Sequence, residues 1–429
     1  MPESTTAGPP PTSPGAATEN ATIRPFRVEV PEEDLAELRR RIDATRWPER
    51  ETVDDNSQGV PLATMQELAR YWATEYDWRK CEARLNGLPQ FMTEIDGLDI
   101  HFVHVRSKHE DALPLVVCHG WPGSPVEQLK LIGPLTDPTA HGASASDAFH
   151  VVIPSMPGYG FSGKPADTGW DPVHIGKAYV ELMRRLGYTR FVAQGGDWGA
   201  IVVDLMAGGR SPGPAEPAPP ELIGIHTNMA GAIPPDLYIA SFAGSPPPSG
   251  LSDEELSTYE QLRTFFAGHV AYGLIMATRP QTLYGVADSP VDLAAFMLDH
   301  GDGTGQPGLV QQVLEGRLQK PSDLTRDDIL DNITLYWLTN TGVSSARLYW
   351  EFKGGFFTAK GVTIPVGVST FADELYRVPR SWAEQSYPNL VYYNQHDRGG
   401  HFAAWEQPQL LSEDVRATFR SLRTNGGSS

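Results

Sequence analysis

Short apolar runs that alternate with helical stretches restrict this chain to a parallel sheet covered on both faces. The runs fall at 113–118, 150–154, 191–194 and 222–228, and residues 175–186 carry apolar side chains at helical spacing between two of them. Strands joined by crossover helices pair in parallel, because each helix carries the chain back to the same end of the sheet. The alternation stops near residue 233, and from there to 347 the chain reads as mostly helical, with Pro-rich breaks such as 245–249. Strand-like runs resume at 362–370 and 390–394, and a last helix is predicted over 408–422. Upstream, residues 31–42 form a helix with acids in its first turn and basic residues later, an order that suits the helix dipole. A second helix is predicted over 62–76, and residues 91–105 alternate in part around Gly97, which predicts a hairpin.

Charge and cysteine content exclude several functions. A net charge of −19 argues against nucleic acid or anionic membrane as a partner, since both require a basic face. Cys81 and Cys118 are the two cysteines of a 429-residue chain, too few for a disulfide framework. No Cys/His cluster has the spacing of a metal site, so neither metal nor organic cofactor is expected. Residues 1–23 are rich in Pro, Thr and Ala without the apolar core of a signal peptide, and read as a disordered tail. A second, shorter tail is expected at 425–429. With no apolar run long enough to span a bilayer, the expectation is a soluble, cytoplasmic protein. Oligomeric state is left open, a homodimer included.

Gln194-Gly-Gly-Asp-Trp-Gly199 carries the chemistry. It follows a predicted strand and precedes a helix-like stretch at 200–207, the setting of a sharp turn that lifts one side chain above the end of a sheet. That side chain is Asp197. A carboxylate is already ionised near neutral pH and needs no base to become a nucleophile. It can attack an sp3 carbon and form an alkyl ester, which suits epoxides and haloalkanes. His119-Gly-Trp-Pro-Gly123 follows another strand, so the backbone N–H groups of Trp121 and Trp198 are candidates for an oxyanion hole. His401, in Gly399-Gly-His-Phe-Ala-Ala-Trp405, is the candidate general base, with His396 as its competitor. The acid that orients it should follow the strand at 362–370, where Asp373 and Glu374 both qualify by spacing.

Five motifs in order give the chain a strong resemblance to the microsomal-type epoxide hydrolases, including the juvenile-hormone branch and soluble bacterial relatives. They are His119-Gly-Trp-Pro-Gly-Ser124, Pro157-Gly-Tyr-Gly-Phe-Ser162, Gly195-Gly-Asp-Trp-Gly199, Asp288-Ser-Pro-Val-Asp-Leu-Ala-Ala295 and Arg398-Gly-Gly-His-Phe-Ala-Ala-Trp405. The resemblance implies an α/β-hydrolase core with a mostly parallel sheet, a helical lid and an N-terminal helical epoxide-hydrolase segment. On this reading residues 24–98 form that segment, 99–232 and 348–424 the core, and 233–347 the lid. It also implies Glu374 as the acid, with Asp373 second. Tyr272 and Tyr349 are implied as lid donors to the epoxide oxygen, and Tyr259, Tyr284 and Tyr336 as packing residues. Where mammalian members carry an N-terminal membrane anchor this chain has a polar, Pro-rich tail, so a soluble enzyme is expected. Its segments 208–220, read as a surface loop, and 245–249 look like local extensions.

The implied reaction is addition of water to a small hydrophobic epoxide, giving a vicinal diol for detoxification or for the biosynthesis of a natural product. A haloalkane dehalogenase would use the same Asp and His but has no need of two lid tyrosines. A non-catalytic binding protein ranks third, because every expected catalytic residue is present.

Overall fold

The computed structural model describes residues 22–210, 216–300, 309–317 and 322–423. The tails expected at 1–23 and 425–429 lie outside these residues, save positions 22 and 23, as do 211–215 of the expected surface loop. Among the described residues one sheet holds β1 (Arg24–Pro25), β2 (Gln90–Ile95), β3 (Leu98–Val105), β4 (Leu113–Cys118), β5 (Phe149–Pro154), β6 (Phe191–Gly195), β7 (Leu222–Thr227), β8 (Val366–Thr370) and β9 (Leu390–Gln395), in the order β1-β2-β3-β5-β4-β6-β7-β8-β9. The first pairs are antiparallel, and every pair from β5 to β9 is parallel. The central strands are apolar on both faces because helices cover both.

The β2–β3 hairpin turns on Asp96 and Gly97, with φ 50° and 76°. Positive φ at both positions is what a tight two-residue hairpin requires, and Asp-Gly supplies it. β8 starts at Val366, four residues later than the apolar pattern from 362 implied. Gly361, at φ 75°, bends the chain out of the extended conformation, and Pro365 has no N–H to give a ladder.

Between β7 and β8 the chain is helical, including Asp253–Gly268, Ala271–Thr278, Pro290–Leu298, Arg326–Thr339 and Gly342–Glu351. The last of these runs through position 347, where the sequence pattern ended the insert. The helices Glu32–Asp43, Leu62–Thr74 and Trp78–Asn86 brace this layer. Trp72 Nε1 donates to Thr334 at 2.9 Å, and Tyr76 and Arg84 both donate to Asp331, each at 2.7 Å. Trp72 is only 2% exposed, and its burial contributes about 2–3 kcal/mol to this contact. Because β2 continues from the same segment into the sheet, it ties the helical layer to the core.

Register decides where the chemistry sits. Cys118, the last residue of β4, pairs with Gly195, the last of β6, and Gly195 pairs with Thr227 at the end of β7. The loops after β4, β6, β8 and β9 therefore emerge at one edge, beneath the helical layer. Carboxyl ends of parallel strands are where open α/β sheets form their clefts. Among the described residues no helix is long and apolar enough to cross a membrane.

Candidate active site

Asp197 stands at the apex of the turn from β6 into the helix Trp198–Met206, with φ 51° and ψ −129°. A non-glycine residue held there costs about 1–3 kcal/mol and persists only where its surroundings enforce it. Enforcement comes from close packing: a Cβ on Gly199 would lie 2.1 Å from the Cys118 carbonyl oxygen, so only glycine lets the helix approach β4. Across the cleft, a Cβ on Gly120 would lie 2.1 Å from Asp197 Oδ1. Both motifs thus use glycine to bring the carboxylate against backbone.

The Trp121 N–H donates to Asp197 Oδ1 at 2.6 Å. Trp198 opens the helix, so its N–H belongs to the first turn, which has no partner within the helix. The loop after β4 is held from both sides. His119 Nε2 accepts the Met156 N–H at 3.1 Å, which leaves Nδ1 to donate to the Gly120 carbonyl. Burial lowers the His119 pKa to about 4, so the ring stays neutral and serves this role. From above, Asn332 donates to the Pro122 carbonyl at 2.6 Å and Tyr336 to that of Gly123 at 2.7 Å. The sequence reading treated Tyr336 as packing and did not single out Asn332. Contacts across more than 200 residues leave no local pattern.

His401 faces Asp197 Oδ2 through Nε2 at 3.3 Å and meets Glu374 Oε1 through Nδ1 at 2.6 Å. Glu374 is 1% exposed, and its Oε1 also accepts the Leu375 N–H at 2.8 Å. Of the two acids the spacing allowed, Glu374 is the one that reaches the ring, whereas the Asp373 backbone N–H donates to the Gly399 carbonyl. Burial opposes protonation of His401, but Glu374 and Asp197 outweigh it and hold the imidazole well above its ordinary pKa. The imidazole thus lies buried between the two acids, with its protonated form favoured. His396, the competing histidine, instead binds Asp414 at 2.6 Å.

Two tyrosines from the helical layer close over this array. Tyr272 stacks on the Trp121 indole with ring centroids 5.0 Å apart, and Tyr349 meets Trp198 edge-on at 4.7 Å. Their own ring centroids lie 6.3 Å apart. Burial is the main cause that raises both phenol pKa values well above the usual one, with the Asp197 charge among the lesser causes, so both remain protonated donors. Tyr259 donates to the Ser245 carbonyl, and Tyr284 is 68% exposed. Phe296, Phe352 and Phe356 pack on Trp121 and Trp198, giving the cleft aromatic walls.

The sequence reading also missed three polar residues: His300, Glu127 and Glu406. The His300 ring lies 4.4 Å from that of His401, and burial together with the neighbouring His401 charge lowers its pKa well below the ordinary value. Among the described residues, donor atoms of Asp197, His300 and His401 come within 4.8 Å of one another. Asp197 Oδ1 and His401 Nδ1 are already engaged by Trp121 and Glu374. Burial raises Glu127 to about 8 and Glu406 to about 7. Cys81 and Cys118 are buried and free.

The chain is similar to known proteins along nearly its whole length. The model of the epoxide hydrolase N terminus matches residues 23–128, and that of the α/β hydrolase fold matches 114–211. A protein of Stigmatella aurantiaca assigned to the epoxide hydrolases is 50% identical over 94% of this chain and 86% of its own. Epoxide hydrolase 1 of Oryctolagus cuniculus is 37% identical over 92% of this chain and 88% of its own. The crystal structure of the juvenile hormone epoxide hydrolase from Bombyx mori superposes with a TM-score of 0.80 at 30% identity, covering 95% of this chain and 96% of the other.

Proposed function

The chain belongs to the epoxide hydrolase family of the α/β-hydrolase fold, and from that premise we infer that it adds water to a small hydrophobic epoxide through an ester on Asp197. One observation carries the assignment of the nucleophile. The side chain at the apex of the turn is a carboxylate, with one oxygen on a backbone N–H and the other facing a Glu-oriented histidine.

The geometry divides the work between the two Asp197 oxygens. Oδ1 is held by the Trp121 N–H, so Oδ2 attacks an epoxide carbon from behind. The C–O bond opposite breaks, and the oxygen leaving that carbon develops charge against Tyr272 and Tyr349. Either phenol can donate to it and give up its proton. Ester formation removes the Asp197 charge, one of the causes that hold the proton on His401. The imidazole gives up that proton, which restores the phenol left deprotonated by ring opening, and becomes a base, oriented by Glu374. It takes a proton from water as the water attacks Cγ of the ester. The oxyanion forms on Oδ1, where the N–H groups of Trp121 and Trp198 stabilise it. Collapse breaks the Cγ–Oδ2 bond, the proton of the new carboxyl group passes to the departing alkoxide, and the diol leaves with the carboxylate restored. Aromatic walls favour apolar substituents on the epoxide.

The tyrosines separate this reading from a dehalogenase, whose leaving halide needs no proton. Replacing Tyr272 or Tyr349 with Phe should lower kcat/KM for styrene oxide by about 10- to 100-fold, and the double variant by about 10³-fold or more, since positioned proton donors contribute in that range. Diol formation followed by chromatography is the check. A double variant within about threefold of the parent would remove both tyrosines from the mechanism.

A further inference from the structure

Glu406 is a buried carboxylate that the reaction above does not use. It closes the short helix Ala403–Glu406 and is 2% exposed. Its Oε2 accepts the Gly400 N–H at 2.5 Å and its Oε1 accepts the Phe402 N–H at 3.0 Å. The residue between those two donors is His401. We propose that Glu406 is a positioning residue for the general base, a clamp on the backbone either side of His401 that acts only in ester hydrolysis. This rests on the assignment of His401 above.

The loop needs such a clamp. Its two glycines, Gly399 at φ 82° and Gly400, make it pliable, and it belongs to neither sheet nor long helix. On one side the Asp373 N–H donates to the Gly399 carbonyl at 2.9 Å, and Glu374 fixes the imidazole plane. Glu406 supplies the opposite side. Its own carbonyl accepts the Asp323 N–H at 3.0 Å, from the segment leading into the helix Arg326–Thr339. The clamp is therefore anchored to the layer that also holds the Trp121 loop. Retaining a carboxyl group here is costly, because it is buried away from water and lies near Glu374 and Glu127. A methionine would fill the volume at less cost but would leave two buried N–H groups unpaired. The cost is explained if the register of His401 depends on those bonds. A shift of about 1 Å at a catalytic group can lower a rate about 100-fold. Attack by Asp197 does not require His401 to be placed, so the effect should fall on the second step alone.

The test is stopped-flow tryptophan fluorescence and rapid-quench intact-mass measurement with styrene oxide on Glu406→Gln and Glu406→Ala, with His401→Gln alongside. An amide can accept one of the two N–H groups but opposes the other, and Ala accepts neither. The expected result is ester formation within about threefold of the parent and hydrolysis slowed by about 10- to 100-fold. Then kcat and KM fall together while kcat/KM is kept. Hydrolysis at the parent rate would overturn the proposal, as would equal slowing of both steps. Failure of both variants to fold would overturn it too, since Glu406 would then support the fold rather than the base. If His401→Gln itself hydrolyses the ester at the parent rate, the base assignment falls and the clamp falls with it. A stalled His401→Gln beside an unimpaired Glu406→Gln overturns the clamp alone.

Discussion

His401→Gln will consume one equivalent of styrene oxide and stop. Glutamine can still fill the space facing Asp197 Oδ2, which His401 Nε2 approaches to 3.3 Å, but it cannot take a proton from water. The first step depends on Asp197 and the tyrosines, which the substitution leaves in place. Hydrolysis should slow by about 10³-fold or more, the scale on which loss of a general base and of its oriented pair is felt. Intact-mass spectrometry after manual mixing should show the protein heavier by one substrate, with the added mass on the peptide carrying Asp197. Steady diol production at a rate near that of the parent would remove His401 from the second step.

Asp197→Ala should abolish turnover at the other end of the sequence of steps. No ester can form, and diol production should fall by about 10⁴-fold or more, since no other carboxylate replaces the nucleophile. Glu374, the other acid beside His401, is committed to His401 Nδ1 and to the Leu375 N–H. The fold should persist, because the variant removes a buried charge from a turn shaped by Gly199 and Gly120 rather than by the carboxylate. Circular dichroism and a melting curve check that, and an unmodified mass after prolonged exposure to styrene oxide checks the chemistry. Retained activity in a folded variant would mean that water, not Asp197, attacks the epoxide.

The central sheet was readable from sequence because strands buried on both faces leave unbroken apolar runs. β4 lies where the run at 113–118 placed it. β1 was not readable, because two residues, one of them proline, carry no pattern. The turn at Asp197 was legible through its glycines, whose need follows from the backbone approach. Asp373 and Glu374 could not be separated by counting, since the choice depends on which side chain the parallel bridge between Asp373 and Gly400 turns toward the ring. Asn332 and Tyr336 were invisible for a different reason: they lie on an ordinary helix, and their role comes from carbonyls some 210 residues earlier. Glu406 carried no signal of its own in the sequence, because its role comes from the two N–H groups that the fold places beside it.

The covalent ester on Asp197 is the central claim, and a single turnover in oxygen-18 water tests it most directly. With enzyme in excess over styrene oxide, the first diol takes its new oxygen from the Asp197 carboxylate. The account therefore predicts unlabelled diol in that turnover and label in the protein at Asp197. Label entering the diol directly, with none in the protein, would contradict it.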